Sequence, residues 1–179
     1  VPPVTDWGVP PRYSPRDLSY SFGPGPLTPA VKWLVIANVV AFLLSRVVPM
    51  IALDLGLIPR QVVEQFAIWQ LVTYMFLHAG VSHILFNMLS LWMFGVELER
   101  RWGSRFFTRY YFICGIGAGV SQILAGLIPA GPFSSLYVAQ TIGASGAIYG
   151  VLLAYALSFP NRPILIYFIF PVPAKILVA

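Results

Sequence analysis

The sequence predicts an all-α polytopic membrane protein, a bundle of transmembrane helices, on three observations. Of its 179 residues, 58% are hydrophobic and only 9% charged, where a soluble domain carries about 25% charged residues. Mean hydropathy is +0.79 and Asp and Glu together number 6, too little polar surface to solvate a compact particle. The apolar residues are grouped in runs, and about 20 consecutive apolar residues cross the hydrocarbon core as a helix.

Residues 1–28 read as a proline-rich, disordered tail: Pro2, Pro3, Pro10, Pro11, Pro15, Pro24 and Pro26 deny it a helix. It also lacks the continuous apolar core of a cleavable signal peptide. The membrane domain is 29–179. Its first span covers about 29–48, with Lys32 and Trp33 as interfacial anchors. Residues 49–81 mix Asp54, Arg60, Glu64, Gln65, Trp69, Gln70 and His78 with short apolar patches, as in a membrane-associated loop long enough to fold on itself.

The second span, about 82–98, carries His83 and Asn87 and ends in Glu97, Glu99, Arg100 and Arg101. The third, about 110–128, contains Gly115, Gly119 and Gly126, positions where helices can approach closely. An uncharged loop, 129–142, leads to a fourth span at about 144–159. The turn Pro160-Asn161-Arg162-Pro163 leads to a fifth at 164–179, which reaches Ala179 with no polar flank. That ending, with Val1 rather than Met at the start, reads as a fragment from which a sixth span is missing. The small-residue stripe Gly146, Gly150 and Ala154 on the fourth span would then lack its packing partner.

Net charge is +5, but the cations sit in gaps between apolar runs rather than in the stripes that bind nucleic acid. If five spans alternate, Arg12, Arg16, Lys32, Arg100, Arg101, Arg105, Arg109 and Arg162 share one side, against Arg46 and Arg60 on the other. The positive-inside rule makes the tail cytoplasmic and puts the loops 49–81 and 129–142 outside. Glu99 with its neighbouring arginines reads as a solvated cytoplasmic cluster, a helix cap or bridge being the second reading. Trp92, Trp102, Tyr110, Tyr111 and Phe112 read as lipid-facing or interfacial aromatics. The lone Cys114 builds neither a disulfide nor a thiolate site, and reads as a packing residue.

The chemistry concentrates where the second and fourth spans begin. His83 and Asn87, four apart, share a helix face, and Ser145 opens the fourth span at similar depth. Polar groups in a membrane are expensive unless paired or lining a wet cavity, so a functional site is the default reading. Interhelical hydrogen bonding is the alternative. In Gly143-Ala144-Ser145-Gly146 the glycines permit a sharp entry into a helix whose first N–H groups have no intrahelical partner. The Ser145 N–H, the Asn87 amide and the His83 ring could together stabilise an oxyanion.

Gly143-Ala144-Ser145-Gly146 with Tyr149, and His83-Ile84-Leu85-Phe86-Asn87, resemble the nucleophile and His-x-x-x-Asn motifs of rhomboid intramembrane serine proteases. Gly95, Glu99 and Gly103 are similar to the family's pattern at the inner end of the second helix, and Trp69 to His78 resembles its membrane-dipping first loop. The likeness covers about 29–179. It implies Ser145 as nucleophile, an oxyanion hole of His83, Asn87 and the Ser145 backbone, and support from Gly143, Gly146 and Tyr149, the last packing on the general base. In the family that base is a histidine on a sixth helix. Here the only histidines are His78 and His83, so the machinery is incomplete and the fragment is expected to be inactive and loosely folded. His83 as base ranks below this. Gln70 stands after Trp69 where many members have Arg, a departure that bears on a loop-anchoring contact rather than on chemistry.

No His-Glu-x-x-His motif occurs, and no Asp or Glu follows Glu99, which argues against zinc and aspartyl intramembrane proteases and weakens a proton-coupled transporter. No metal or organic cofactor is implied. The resemblance implies a serine endopeptidase that cuts single-span transmembrane proteins near the outer membrane face, through an acyl-enzyme, in a bacterial inner (plasma) membrane. Its expected partners are those substrates and the lipid bilayer, with no nucleic acid. The rivals are a rhomboid-like pseudoprotease that binds membrane helices without cutting and a small transporter element.

Overall fold

The first helix, α1 (Pro29–Val47), begins at a proline, whose missing N–H is no loss in a first turn. Its next donors are capped from far along the chain. Glu99 accepts the Ala30 and Val31 N–H groups at 2.9 Å each, Ser104 Oγ at 2.6 Å, and the Thr28 hydroxyl. Glu99 is 3% exposed, so the cap-and-bridge reading holds and the solvated one is corrected: four donors replace the water that the carboxylate gives up. The computed structural model describes residues 23–128, 131–161, 163–166, 170–173 and 176. Within the described part of the tail, Arg100 binds the carbonyls of Pro24 and Pro26, and Trp92 Nε1 donates to Gly25 O. Residues 23–28 are therefore docked rather than loose; the expectation of disorder for 1–22 falls outside the described residues.

Residues 49–81 fold on themselves as α2 (Met50–Leu55), α3 (Pro59–Gln65), α4 (Gln70–Thr73) and a 3-10 turn, Tyr74–Phe76. Buried Gln70 ties them together: Oε1 accepts the Ile58 N–H at 3.0 Å, while Nε2 donates to Asp54 O at 3.2 Å and Gln61 Oε1 at 2.6 Å. The amide thus anchors the loop itself, having both donor and acceptor where a guanidinium would only donate.

α5 (Val81–Ser90) runs through a π-helical stretch, Leu91–Gly95, into α6 (Val96–Trp102). Pro29–Val47 and Val81–Trp102 are each long and apolar enough to cross a membrane. Gly103, at φ +80°, reverses the chain into α7 (Ser104–Gly126), 23 residues or about 35 Å of helix. The last helix is α8 (Ser145–Ser158).

α7 is the central helix, with Phe107 and Tyr111 fully buried and its most extensive contact with α8. Its glycines admit neighbours as expected. A Cβ on Gly119 would stand 3.3 Å from Leu71 Cδ2, one on Gly126 3.1 Å from the Tyr137 backbone, and one on Gly115 would overlap the Met75 side chain. The stripe on α8 also has a partner, correcting the expectation that it lacks one. A Cβ on Gly146 would lie 2.5 Å from Ala118 Cβ, and one on Gly150 2.6 Å from Cys114 Cβ. Tyr110, half-buried, also packs on α8, its hydroxyl donating to Gly150 O at 2.8 Å. Ile36, Val40, Leu43, Phe86, Ile113, Leu124 and Leu157 are exposed, an apolar exterior suited to lipid.

Of 164–179, expected as a fifth helical span, residues 164–166 and 170–173 are extended instead. Pro163–Ile166 (β1) pairs antiparallel with Phe170–Pro173 (β2), Pro163 opposite Pro173 and Ile166 opposite Phe170. Pro171 and Pro173 remove backbone donors that a helix would need there, and Ile164, Ile166, Phe170 and Val172 favour extended chain. Residues 167–169, 174–175 and 177–179 lie outside the described residues.

Candidate active site

α5 and α8 start side by side, α5 directly after Gly80 and α8 two residues after Gly143. Gly80 is extended, with φ −163°. Gly143 has φ +127°, a conformation L side chains rarely adopt. Backbone bonds seat the segment before Ser145 on the first loop: Leu57 and Thr141 exchange N–H···O bonds of 2.9 and 2.8 Å, and the Gly143 N–H donates to Tyr74 O at 2.9 Å. Tyr74 is itself held by its hydroxyl, which donates to Gly115 O at 2.7 Å. The first loop thereby fixes where α8 begins.

His83 and Ser145 face the same small space. A carbon placed as Cβ on Gly143 would be 2.8 Å from His83 Nε2, 2.9 Å from His83 Cε1 and 3.8 Å from Ser145 Oγ. The missing side chain is what leaves that space open. Next to it lies a cleft of about 240 Å³ lined by Phe86, Asn87, Ser90, Ser145, Ile148 and Tyr149. Asn87 is 8% exposed and donates from Nδ2 to His83 O at 2.7 Å, which orients the amide and leaves its second N–H available. Tyr149 is 71% exposed at the cleft rim. Gly146 keeps α8 against α7 through Ala118, as described above.

The His83 ring is held from behind. Its Nδ1 accepts the Ala79 N–H at 3.4 Å, and Arg46 Nη2 holds Ala79 O at 2.6 Å. His83 Nε2 is the ring nitrogen that faces the space beside Ser145. His78 packs edge-on against His83 with ring centroids 5.0 Å apart and is 4% exposed. Burial, reinforced by the neighbouring His83, depresses its pKa to about 4, so His78 is neutral at pH 7. Arg46, Tyr74 and His78 frame His83 and the segment before Ser145, roles that the sequence does not give them: there Arg46 reads only for orientation, and His78 only as part of the first loop. Their roles pass through backbone carbonyls and a ring contact, which leave no residue-type signature. No group of three or more His, Cys, Asp or Glu that could hold a metal occurs among the described residues.

A rhomboid-domain family model matches residues 65–179, the segment containing His83, Asn87 and Ser145. This chain belongs to the rhomboid family. As a rhomboid-family member it is an integral membrane protein. It is 38% identical to RHOMBOID-like protein 2 of Arabidopsis thaliana over 94 residues, covering 51% of this chain and 26% of that protein. Rhomboid protease GluP of Bacillus subtilis is 36% identical over 84 residues, 47% of this chain and 14% of that one. A longer match, 28% identical over 153 residues, is to the mitochondrial RHOMBOID-like protein 12 of Arabidopsis thaliana and covers 80% of this chain and 46% of the relative. The chain thus spans less than half the length of each of these relatives.

Proposed function

We propose that this rhomboid-family chain carries the nucleophile and the oxyanion-stabilising groups of an intramembrane serine endopeptidase. The observation that carries the reading is the convergence of His83 Nε2 and Ser145 Oγ on the space beside Gly143, with Asn87 lining the cleft alongside. Ser145 Oγ attacks the scissile carbonyl and forms an acyl-enzyme that water then hydrolyses. The Ser145 N–H, the second Asn87 N–H and His83 Nε2–H are the donors to the developing oxyanion. Substrates are single-span transmembrane proteins whose helix unwinds locally, because a hydrogen-bonded helix does not present its carbonyl. The setting is a bacterial inner membrane, with the tail cytoplasmic and the cleft toward the outer face.

The hydroxyl proton needs a base. In this reading His83 is spent as an oxyanion donor, and His78 packs against His83 with a depressed pKa; these are the chain's only histidines. The 179 residues alone are therefore expected to bind but not cut. The absent base is also what favours the second reading, a pseudoprotease that binds membrane helices.

The test reconstitutes two proteins in liposomes with a single-span model substrate: the 179-residue chain, and the full product of its gene, each also as Ser145→Ala. Cleavage by the gene product, lost by about 10³-fold or more in Ser145→Ala, with none from the 179 residues, supports the protease reading. Cleavage that survives Ser145→Ala overturns it. An uncut substrate that co-purifies with the gene product establishes the pseudoprotease instead.

A further inference from the structure

A groove of about 620 Å³ lies between α1 and α7 and shares no lining residue with the cleft at Ser145. Leu34, Ala37, Phe76 and Phe112 give it an apolar length, while Trp33, Arg105 and Arg109 also line it. The two helices start at one level, since Glu99 binds both the first turn of α1 and Ser104. Arg105 therefore stands at the end where both begin, with Arg109 one turn further in.

These two guanidinium groups are unlike the others nearby. Arg46 holds Ala79 O, Arg60 pairs with Glu64, Arg100 binds Pro24 O and Arg101 binds Ser158 O. Lys32 lies over the Trp33 ring at 5.9 Å. Among the described residues, Arg105 and Arg109 have no carboxylate or carbonyl partner. Two unpaired cations four residues apart, bordering an apolar groove in a membrane protein, call for an amphiphile with an anionic head. Guanidinium groups bind phosphate oxygens in bidentate fashion, and basic pockets between transmembrane helices on the cytoplasmic side hold anionic lipid head groups. We propose that this groove is a binding site for one anionic phospholipid. Its phosphate sits between Arg105 and Arg109, and one acyl chain runs along Leu34, Ala37 and Phe112 towards Phe76. The lipid would bridge α1 to α7.

The test is native mass spectrometry of the purified 179-residue chain equilibrated with equal amounts of phosphatidylglycerol and phosphatidylcholine of matched chain length. The expected result is one retained lipid with about tenfold preference for phosphatidylglycerol. The double variant Arg105→Gln/Arg109→Gln should lose the preference. Arg101→Gln, which removes a cation from the same end of the molecule but outside the groove, should keep it. Ala37→Trp, which fills the groove and leaves both arginines, should lose the retained lipid altogether. The proposal is overturned by any of these results: equal retention of the two lipids by the parent chain; a preference that survives the double variant; a loss in Arg101→Gln as large as in the double variant, which means diffuse surface charge; or displacement by excess inorganic phosphate, which means a free-anion site.

Discussion

At residue 143 a missing side chain leaves open the space between His83 and Ser145. Gly143 combines φ +127° with a Cβ position 2.8 Å from His83 Nε2, so Gly143→Ala meets backbone strain and a collision with the ring together. The expected outcome is a stability loss of about 1–3 kcal/mol in detergent thermal unfolding, and loss of Ser145-dependent cleavage in the gene product. Cleavage at the parent rate would remove this glycine from the mechanism. Asn87→Ala takes away one of the proposed oxyanion donors, and kcat of the gene product should fall about 10²-fold with KM little changed; an effect confined to KM would assign Asn87 to substrate binding instead. His78 makes a pH prediction. Its folded pKa, about 4, lies below the unfolded value of 6.5. Between those values the unfolded chain takes a proton that the folded chain refuses, so stability is full above 6.5 and declines as pH falls toward 4. The slope is at most about 1.4 kcal/mol per pH unit. Unfolding midpoints of the parent and His78→Phe over this range check it, and an unchanged slope in the variant would assign the acid sensitivity elsewhere.

At the scale of elements, the positions of α1 and the first loop each depend on one buried polar side chain. Glu99→Ala would leave the Ala30 and Val31 N–H groups without their acceptor in a place water does not reach. A cost of about 1.5–3 kcal/mol follows for a charge-assisted bond of this kind, with faster amide exchange confined to the first turn of α1. Exchange that stays slow there would mean another group caps the helix. The sequence made the existence of these helices legible because an apolar run records which segments leave water. It offered the cap or bridge only as the second reading of Glu99, and for Gln70 only the place of a loop-anchoring contact, since the same residues in the same string serve as surface polar groups when the chain folds otherwise. The run after Pro163 misled for a related reason. Its hydropathy is that of a span, and the prolines at 171 and 173, which forbid a regular helix there, weigh little in a measure of apolarity.

At the scale of the whole molecule, motif order and helix polarity in the sequence were enough to bring Ser145, His83 and Asn87 to one place, because each lies near the start of a helix and both helices start on the same side. Helix partnership was not legible: a small-residue stripe says that something comes close, without saying what. Gly146 and Gly150 meet α7 at Ala118 and Cys114, so α8, with Ser145 at its head, is positioned by the central helix. A final prediction follows from that contact. Gly150→Val places branched carbon where Cys114 Cβ is already 2.6 Å from a Cβ at 150, and it strains the bond from Tyr110 to Gly150 O. Overpacking of this kind costs about 1–3 kcal/mol and should push the start of α8 off the first loop. Cys114→Gly takes away both the Sγ and the Cβ that a Cβ at 150 would meet, so the double variant should recover part of the loss, with a coupling of about 0.5–3 kcal/mol between the sites. A thermal-unfolding cycle of the four proteins in one detergent measures it. Strict additivity would show that α7 and α8 do not meet at this pair, and the placement of Ser145 by α7 would fall with it.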